Sequence, residues 1–269
     1  MTMLVTEELL PKDIFVMYFA EERSLAEFIV YSRGNPYVVS DLIELFKEYD
    51  IVPLSCNISR IREYYTILVF ADFTNAKITP SKLKDKISDI SGIEKVSYIG
   101  ERVHGLMFDE LSFPITTNMG KSRAIILLVS TFSDTLKRMK SEWGSGAEAF
   151  LYYLGYDMGY DCARIFRQEI KYYREEIMEV LKVIQALGWG RIKKLELDFD
   201  RKRGRLIILD LFESETSRGQ FAVPKCHFFR GFLAGFLSQL LEVNIKVAEV
   251  RCIAKGDPHC EFVFEPGST

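Results

Sequence analysis

Glu249-Val250-Arg251-Cys252-Ile253-Ala254-Lys255-Gly256-Asp257-Pro258-His259-Cys260-Glu261-Phe262 is the stretch on which the fold of the C-terminal half turns. The segments on either side, Val243 to Arg251 and Cys260 to Phe264, are β-rich, and Lys255-Gly256-Asp257-Pro258 between them is turn chemistry. The pattern predicts a hairpin that folds Cys260 back beside Cys252. Glu249 lies three residues before Cys252, and Cys226 opens the apolar segment Cys226 to Leu241, which predicts a helix. Three sulfurs and a carboxylate would complete the four-coordinate shell that zinc prefers. Spacing alone leaves three readings open: a metal centre, a cross-strand disulfide between Cys252 and Cys260, or buried thiols that act as small hydrophobes. His227 and His259 stand next to candidate ligands and are possible substitutes.

Upstream, Gly231 and Gly235 sit one turn apart on the Cys226–Leu241 helix, and Gly155 and Gly159 repeat that spacing in the breaker-poor run Ala147 to Glu169. Glycines four apart share a helix face and let another element approach closely. Ile192 to Asp198 and Arg205 to Phe212 predict a second hairpin across the basic turn Arg201-Lys202-Arg203-Gly204-Arg205, read as a solvated turn with an anion contact as the alternative. Glu175 to Leu187 predicts an amphipathic helix ended by Gly188, and Ser214 to Gly219 a polar loop. Arg123 to Ser130 predicts a strand, after which Thr131 or Ser133 caps a helix through Glu142, broken by Gly144-Ser145-Gly146. The half is therefore expected to be helices plus antiparallel strands.

The Gly-rich helix followed by Glu-x-x-Cys, Gly-Asp and Cys-x-Phe resembles the 4-vinyl reductase-like (4VR) domain, over residues 105 to 266. In the aromatic-sensing transcription regulators that carry this domain, zinc is held by a helix-start Cys and by the Glu, Cys and Cys of the terminal hairpin. The resemblance thus implies a zinc set of Cys226, Glu249, Cys252 and Cys260. The family is also similar in fold to TRAPP-type trafficking subunits, and both relatives hold an apolar ligand between helices and sheet. Tyr152, Tyr153, Tyr156, Trp189, Phe228 and Phe229 are the aromatics placed to line such a pocket; plain core packing is their other reading.

In the N-terminal half, Ala26 to Tyr31 predicts a strand closed by Ser32-Arg33-Gly34-Asn35-Pro36. Val39, Leu42, Ile43, Leu45 and Phe46 recur at helical spacing, with Ser40 and Asp41 as capping candidates. Strands over Ile51 to Ser59 and Tyr64 to Phe73, a helix opened by Pro80-Ser81 and ended by Gly92, and a strand over Lys95 to Ile99 complete a β-α-β-β-α-β order. That order is the split βαβ, or ferredoxin-like, unit. Over residues 25 to 100 it resembles the ACT family of small regulatory domains. Tyr37 stands where that family has a glycine after the loop proline, which leaves open whether this domain binds an amino acid or serves dimerisation alone.

The 269 residues are expected to form two domains, 1–100 and 101–269, divided in the weakly patterned stretch after Gly100. The fold class expected is α+β: an N-terminal ferredoxin-like (ACT-like) domain and a C-terminal 4VR/TRAPP-like domain with an antiparallel sheet. A net charge of -3 removes the global attraction on which non-specific nucleic-acid binding relies, and no basic recognition helix is visible. No apolar run reaches the roughly 20 residues of a membrane span. Met1 to Lys12 lacks the basic start and apolar region of a signal peptide, so a cytoplasmic protein with thiols or metal ligands rather than disulfides is expected. No His, Ser and Asp arrangement, phosphate loop or carboxylate cluster marks catalysis. The expectation is a non-enzymatic, ligand-sensing regulatory protein, a homodimer with a possible regulatory partner, that takes a small apolar or aromatic molecule and a structural zinc. A protein-interaction scaffold and an accessory factor or enzyme of tetrapyrrole-like metabolism are the alternatives.

Overall fold

Ala26, Phe28 and Val30 point to one face of strand β2 (Leu25–Arg33), Leu25 and Ile29 to the other, and all five are buried. A strand buried on both faces belongs in the middle of a covered sheet. In the computed structural model, which describes residues 11–100, 103, 105–169 and 180–267, β2 pairs antiparallel with both β4 (Tyr64–Asp72) and β5 (Ile93–Gly100). With β3 (Val52–Ile61) outside β4, the order is β3-β4-β2-β5, all antiparallel. This is the expected ferredoxin-like arrangement.

Helices α1 (Val38–Glu48) and α2 (Pro80–Ser88) bury Val38, Leu42 and Phe46 and Leu83 and Ile87 against the Ala26–Phe28–Val30 face. Thr79 caps α2 by accepting a hydrogen bond from the Lys82 N–H. Ser40 and Asp41 do not cap α1; both lie inside it, and its N-cap is Tyr37, without a side-chain cap. The other face of the sheet is covered by a two-stranded ribbon of β1 (Met17–Phe19) and β6 (Leu106–Phe108), whose Met107 packs with Leu25 and Phe70. Pairing of β6 with β1 makes this stretch part of the first unit, Met1–Ile125, so the second begins at Ile126 and not after Gly100.

Glu27 lies on the ribbon-covered side of β2, fully buried, with Oε2 accepting the Glu110 N–H (3.1 Å) and Oε1 without a partner. Burial, opposed by the Glu110 N–H and reinforced by the neighbouring Asp109, pushes its carboxyl up to about 8. The folded-state value exceeds the unfolded one, so the stabilisation is complete below about pH 4.5 and is lost as pH rises through 8. Glu27→Gln, neutral at every pH, is expected to leave the urea midpoint at pH 5 nearly unchanged and to raise it at pH 9. Equal midpoint losses for both proteins between pH 5 and pH 9 would refute this origin.

The second unit opens with α3 (Val129–Trp143) and α4 (Ser145–Glu169), separated by Gly144 in a left-handed conformation (φ 54°). The strand expected over Arg123 to Ser130 is absent: only Ser122–Arg123 is paired, and Ile125 to Leu128 are largely exposed. Their β-branched character supplies a local preference, but no neighbouring strand accepts their backbone. Thr131 and Ser133 fall inside α3. Most of the helix expected from Glu175 lies outside the described residues; the turn Val183–Ala186 and Gly188 (φ 77°) are as anticipated.

Strands β9 (Arg191–Asp198), β10 (Arg203–Leu209), β11 (Ile245–Arg251) and β12 (Cys260–Pro266) form a second antiparallel sheet in the order β11-β12-β10-β9. The basic turn is solvated, and Arg205 is held between Glu196 and Glu261 on the outer sheet face. Helix α5 (His227–Leu241) is buried almost all round, as a helix enclosed in a core must be. Gly155 and Gly159 of α4 lie against the carbonyls of Phe228 and Phe232, and Gly231 and Gly235 of α5 against those of Tyr152 and Tyr156. The two helices therefore run parallel in backbone contact. Among the described residues no helix is long and apolar enough to cross a membrane.

Candidate metal centre

Residues 249 and 252 would point to opposite faces of a regular strand, because side chains alternate. A register shift between Glu249 and Arg251 in the β11–β12 pairing removes the conflict: one residue bulges, and the parity of all that follows reverses. Glu249 then lies on the core side with Ile245 and Val247, and Cys252, immediately past the strand, is buried on that side too. A 3-10 turn (Ile253–Lys255) and Gly256 (φ 102°) bring the chain round to Cys260. Asp257 fixes the turn by accepting the Cys252 N–H (2.9 Å), and the Ile253 N–H points at the Cys260 sulfur (3.4 Å).

The sulfur of Cys226, at the N-cap of α5, is 3.7 Å from that of Cys252 and 3.8 Å from that of Cys260. One carboxylate oxygen of Glu249 joins them, and the four ligand atoms lie within 4.8 Å of one another. Sulfurs about 2.3 Å from a tetrahedral zinc are about 3.8 Å apart, so the spacing is that of thiolates around a metal. It is far beyond the roughly 2.05 Å of a disulfide, and all three cysteines are free. Glu249 Oε2 accepts the Cys226 N–H (3.0 Å), while Oε1 is buried without a partner. An orphaned buried carboxylate oxygen beside three sulfurs fits a cation ligand.

The electrostatics agree. Burial and the charge on Cys252 push the Glu249 carboxyl up to about 9, and burial raises the Cys226 thiol well above its usual value. Hydrogen bonds from Cys226 and Cys260 hold Cys252 far below the usual thiol range. The cluster alone thus concentrates its negative charge on one sulfur, and a divalent cation would displace the protons from the rest. The histidines considered as substitutes lie elsewhere: His227 Nε2 faces Glu148 (3.4 Å) and His259 Nε2 faces Glu261 (3.6 Å). Burial lowers His227 to about 4, so its ring is neutral at pH 7.

Of the aromatics expected around a ligand, Trp189 and Phe228 meet at 5.9 Å between ring centroids, together with Phe212 and Phe232. Phe229 joins through Phe232 (6.3 Å) and stacks toward Phe262 (5.1 Å). Tyr152 and Tyr156 instead form a half-buried ladder with Tyr160 along α4, with Arg230 over the Tyr152 ring, and Tyr153 is exposed. Phe212, Phe232 and the buried Lys140 and Glu213 are not singled out by the sequence; for the two phenylalanines, their place in apolar runs is the available signal.

Residues 208–266 match the family model of the vinyl-4-reductase (4VR) domain, and all four candidate ligands fall inside the match. The C-terminal region therefore carries a 4VR domain. The chain is 29% identical over 124 residues to an uncharacterised protein of Methanocaldococcus jannaschii, covering 45% of this chain and 66% of the relative, just under two thirds of its length. The solved phenol-responsive sensory domain of the transcription activator PoxR with phenol is similar at 21% identity and a TM-score of 0.47, over 55% of this chain and 79% of that one. For the N-terminal part, the ACT domain of GTP pyrophosphokinase from Chlorobium tepidum is similar at 14% identity and a TM-score of 0.25, over 29% of this chain and 99% of that one.

Proposed function

We propose that this protein is a ligand-sensing regulator whose C-terminal unit binds a small apolar or aromatic molecule and is braced by a structural zinc, with the N-terminal unit serving dimerisation or output. One observation carries the reading: the four-ligand cluster is anchored on the N-cap of α5, and Phe228 and Phe229 in the first turn of that helix belong to the ring cluster around Trp189. The 4VR match supports it. Zinc suits three sulfurs and a carboxylate, and when bound it supplies positive charge and ties the helix to the hairpin. Four protein ligands leave no open position for an activating water, so the role proposed is binding and not turnover. A ligand would act by favouring one of two arrangements through differential contacts.

Trp189 is the natural reporter. In a Trp143→Phe background, titration with small phenols and alkylbenzenes is expected to change Trp189 fluorescence saturably with at least one probe, and Phe228→Ala to weaken that response at least tenfold. The same full-length protein in native mass spectrometry is expected to carry a co-purified small molecule. A flat titration together with a bare chain mass would overturn the sensor reading. A second reading, a scaffold, is favoured by the exposed row Phe150, Tyr153, Leu154, Met158 and Ile165 along α4. It predicts a filled oligomer without a small molecule.

A further inference from the structure

An N-cap residue ordinarily turns its own side chain back onto the N–H groups two and three residues ahead. Cys226, the N-cap of α5, makes no such bond. Those two N–H groups are taken by a carboxylate from elsewhere in the chain: Glu213 Oε1 accepts from Phe228 (3.1 Å) and Oε2 from Phe229 (2.9 Å). Lys140 on α3 completes the arrangement. Its Nζ lies 3.4 Å from Glu213 Oε1 and donates to the carbonyl of Lys225 (2.8 Å), the residue just before Cys226. The backbone on both sides of the ligand is therefore held by one ion pair, whose side chains are 2% and 0% exposed. Burying such a pair seldom adds net stability, because desolvation offsets the attraction, so its use has to be sought in what it fixes.

We propose that Lys140 and Glu213 are positioning residues for the metal centre: Glu213 takes over the capping of α5 and Lys140 pins the Lys225 carbonyl, which frees the Cys226 sulfur for the metal and holds it in place. This rests on the reading of the Cys226–Glu249–Cys252–Cys260 cluster as a metal site. In an uncapped first turn the sulfur would be carried on backbone that frays. Outer partners of this kind orient ligands, and their loss costs about 10–100-fold in metal affinity.

Cobalt(II) alone, bound to the full-length protein, tests it through the thiolate-to-cobalt absorption and the rate at which EDTA strips the metal. Glu213→Gln and Lys140→Met are expected to speed release about tenfold or more and to alter the ligand-field envelope. The charge-neutral double variant, which leaves no lone buried charge, should fold by circular dichroism and still release fast. Ile208→Val, a core change in the second sheet, should release at the wild-type rate. Folded variants that release cobalt no faster than wild type would overturn the proposal while leaving the metal site standing. Wild-type protein that takes up no cobalt would overturn the metal reading, and this proposal with it.

Discussion

Cys252→Ser is expected to abolish metal binding and to lower the stability of the C-terminal unit by several kcal/mol, with Cys56→Ser as the unaffected control. Cys252 is the sulfur on which the cluster concentrates its charge, and a serine hydroxyl replaces a thiolate poorly at a zinc ion. Its loss leaves two thiols and a carboxylate crowded in the core, each buried and deprived of the cation that would satisfy them. Because binding is coupled to folding, the free energy of metal binding to the native state appears as stability. Thermal unfolding with and without a strong chelator reads this directly. Wild type should lose its high-temperature transition on chelation, and the variant should sit at the chelated wild-type position without it. Cys56 is an exposed thiol on β3 of the other unit, so its serine variant should melt and bind metal as wild type does.

The second large effect is expected at the glycines between α4 and α5. A methyl group added at Gly155, Gly159, Gly231 or Gly235 meets a backbone carbonyl oxygen of the facing helix well inside van der Waals contact. Backbone cannot rotate away as a side chain would, so the helices must separate and the packing on either side must open. Overpacking of this kind costs about 3 kcal/mol or more per site. Gly146→Ala, where the added methyl meets nothing, is the control and should be neutral or slightly stabilising. Denaturant midpoints of these variants measure the difference. Gly155 carries a further consequence, because its neighbour is the Phe228 carbonyl, two residues past Cys226. Gly155→Ala should therefore weaken metal retention as well as stability, whereas Gly235→Ala, a turn or more farther along α5, should act on stability alone.

These glycines also mark how much is legible in the sequence. Spacing of four identifies both pairs as helix-contact faces, and the structure brings those faces together. Alternation in Ala26 to Tyr31 and periodicity in Val39 to Phe46 are sufficient for the β-α-β-β-α-β order, because each signal is local and each element is bounded by a turn or a glycine. The ligand set is legible for the same reason, since three of its members lie within twelve residues of a hairpin. What escapes is non-local. Pairing of β6 with β1 spans the whole first unit, so the domain boundary could not be placed from composition. Glu213 sits beside a polar loop in the sequence and is fully buried only because α3 supplies Lys140 and α5 supplies two N–H groups. The bulge that brings Glu249 and Cys252 to one side leaves no residue signature, yet the spacing would fail without it. Tyr152 and Tyr156 have the same helical spacing as a core face, but the glycine stripe beside them takes the inner position.

Elemental analysis of the purified full-length protein, expressed without added metal and dialysed against metal-free buffer, tests the central claim most directly. The account predicts one equivalent of zinc per chain in the wild type and in Cys56→Ser, and essentially none in Cys252→Ser. Zinc well below one equivalent in a wild type that also fails to take up added zinc, or an undiminished content in Cys252→Ser, would contradict it.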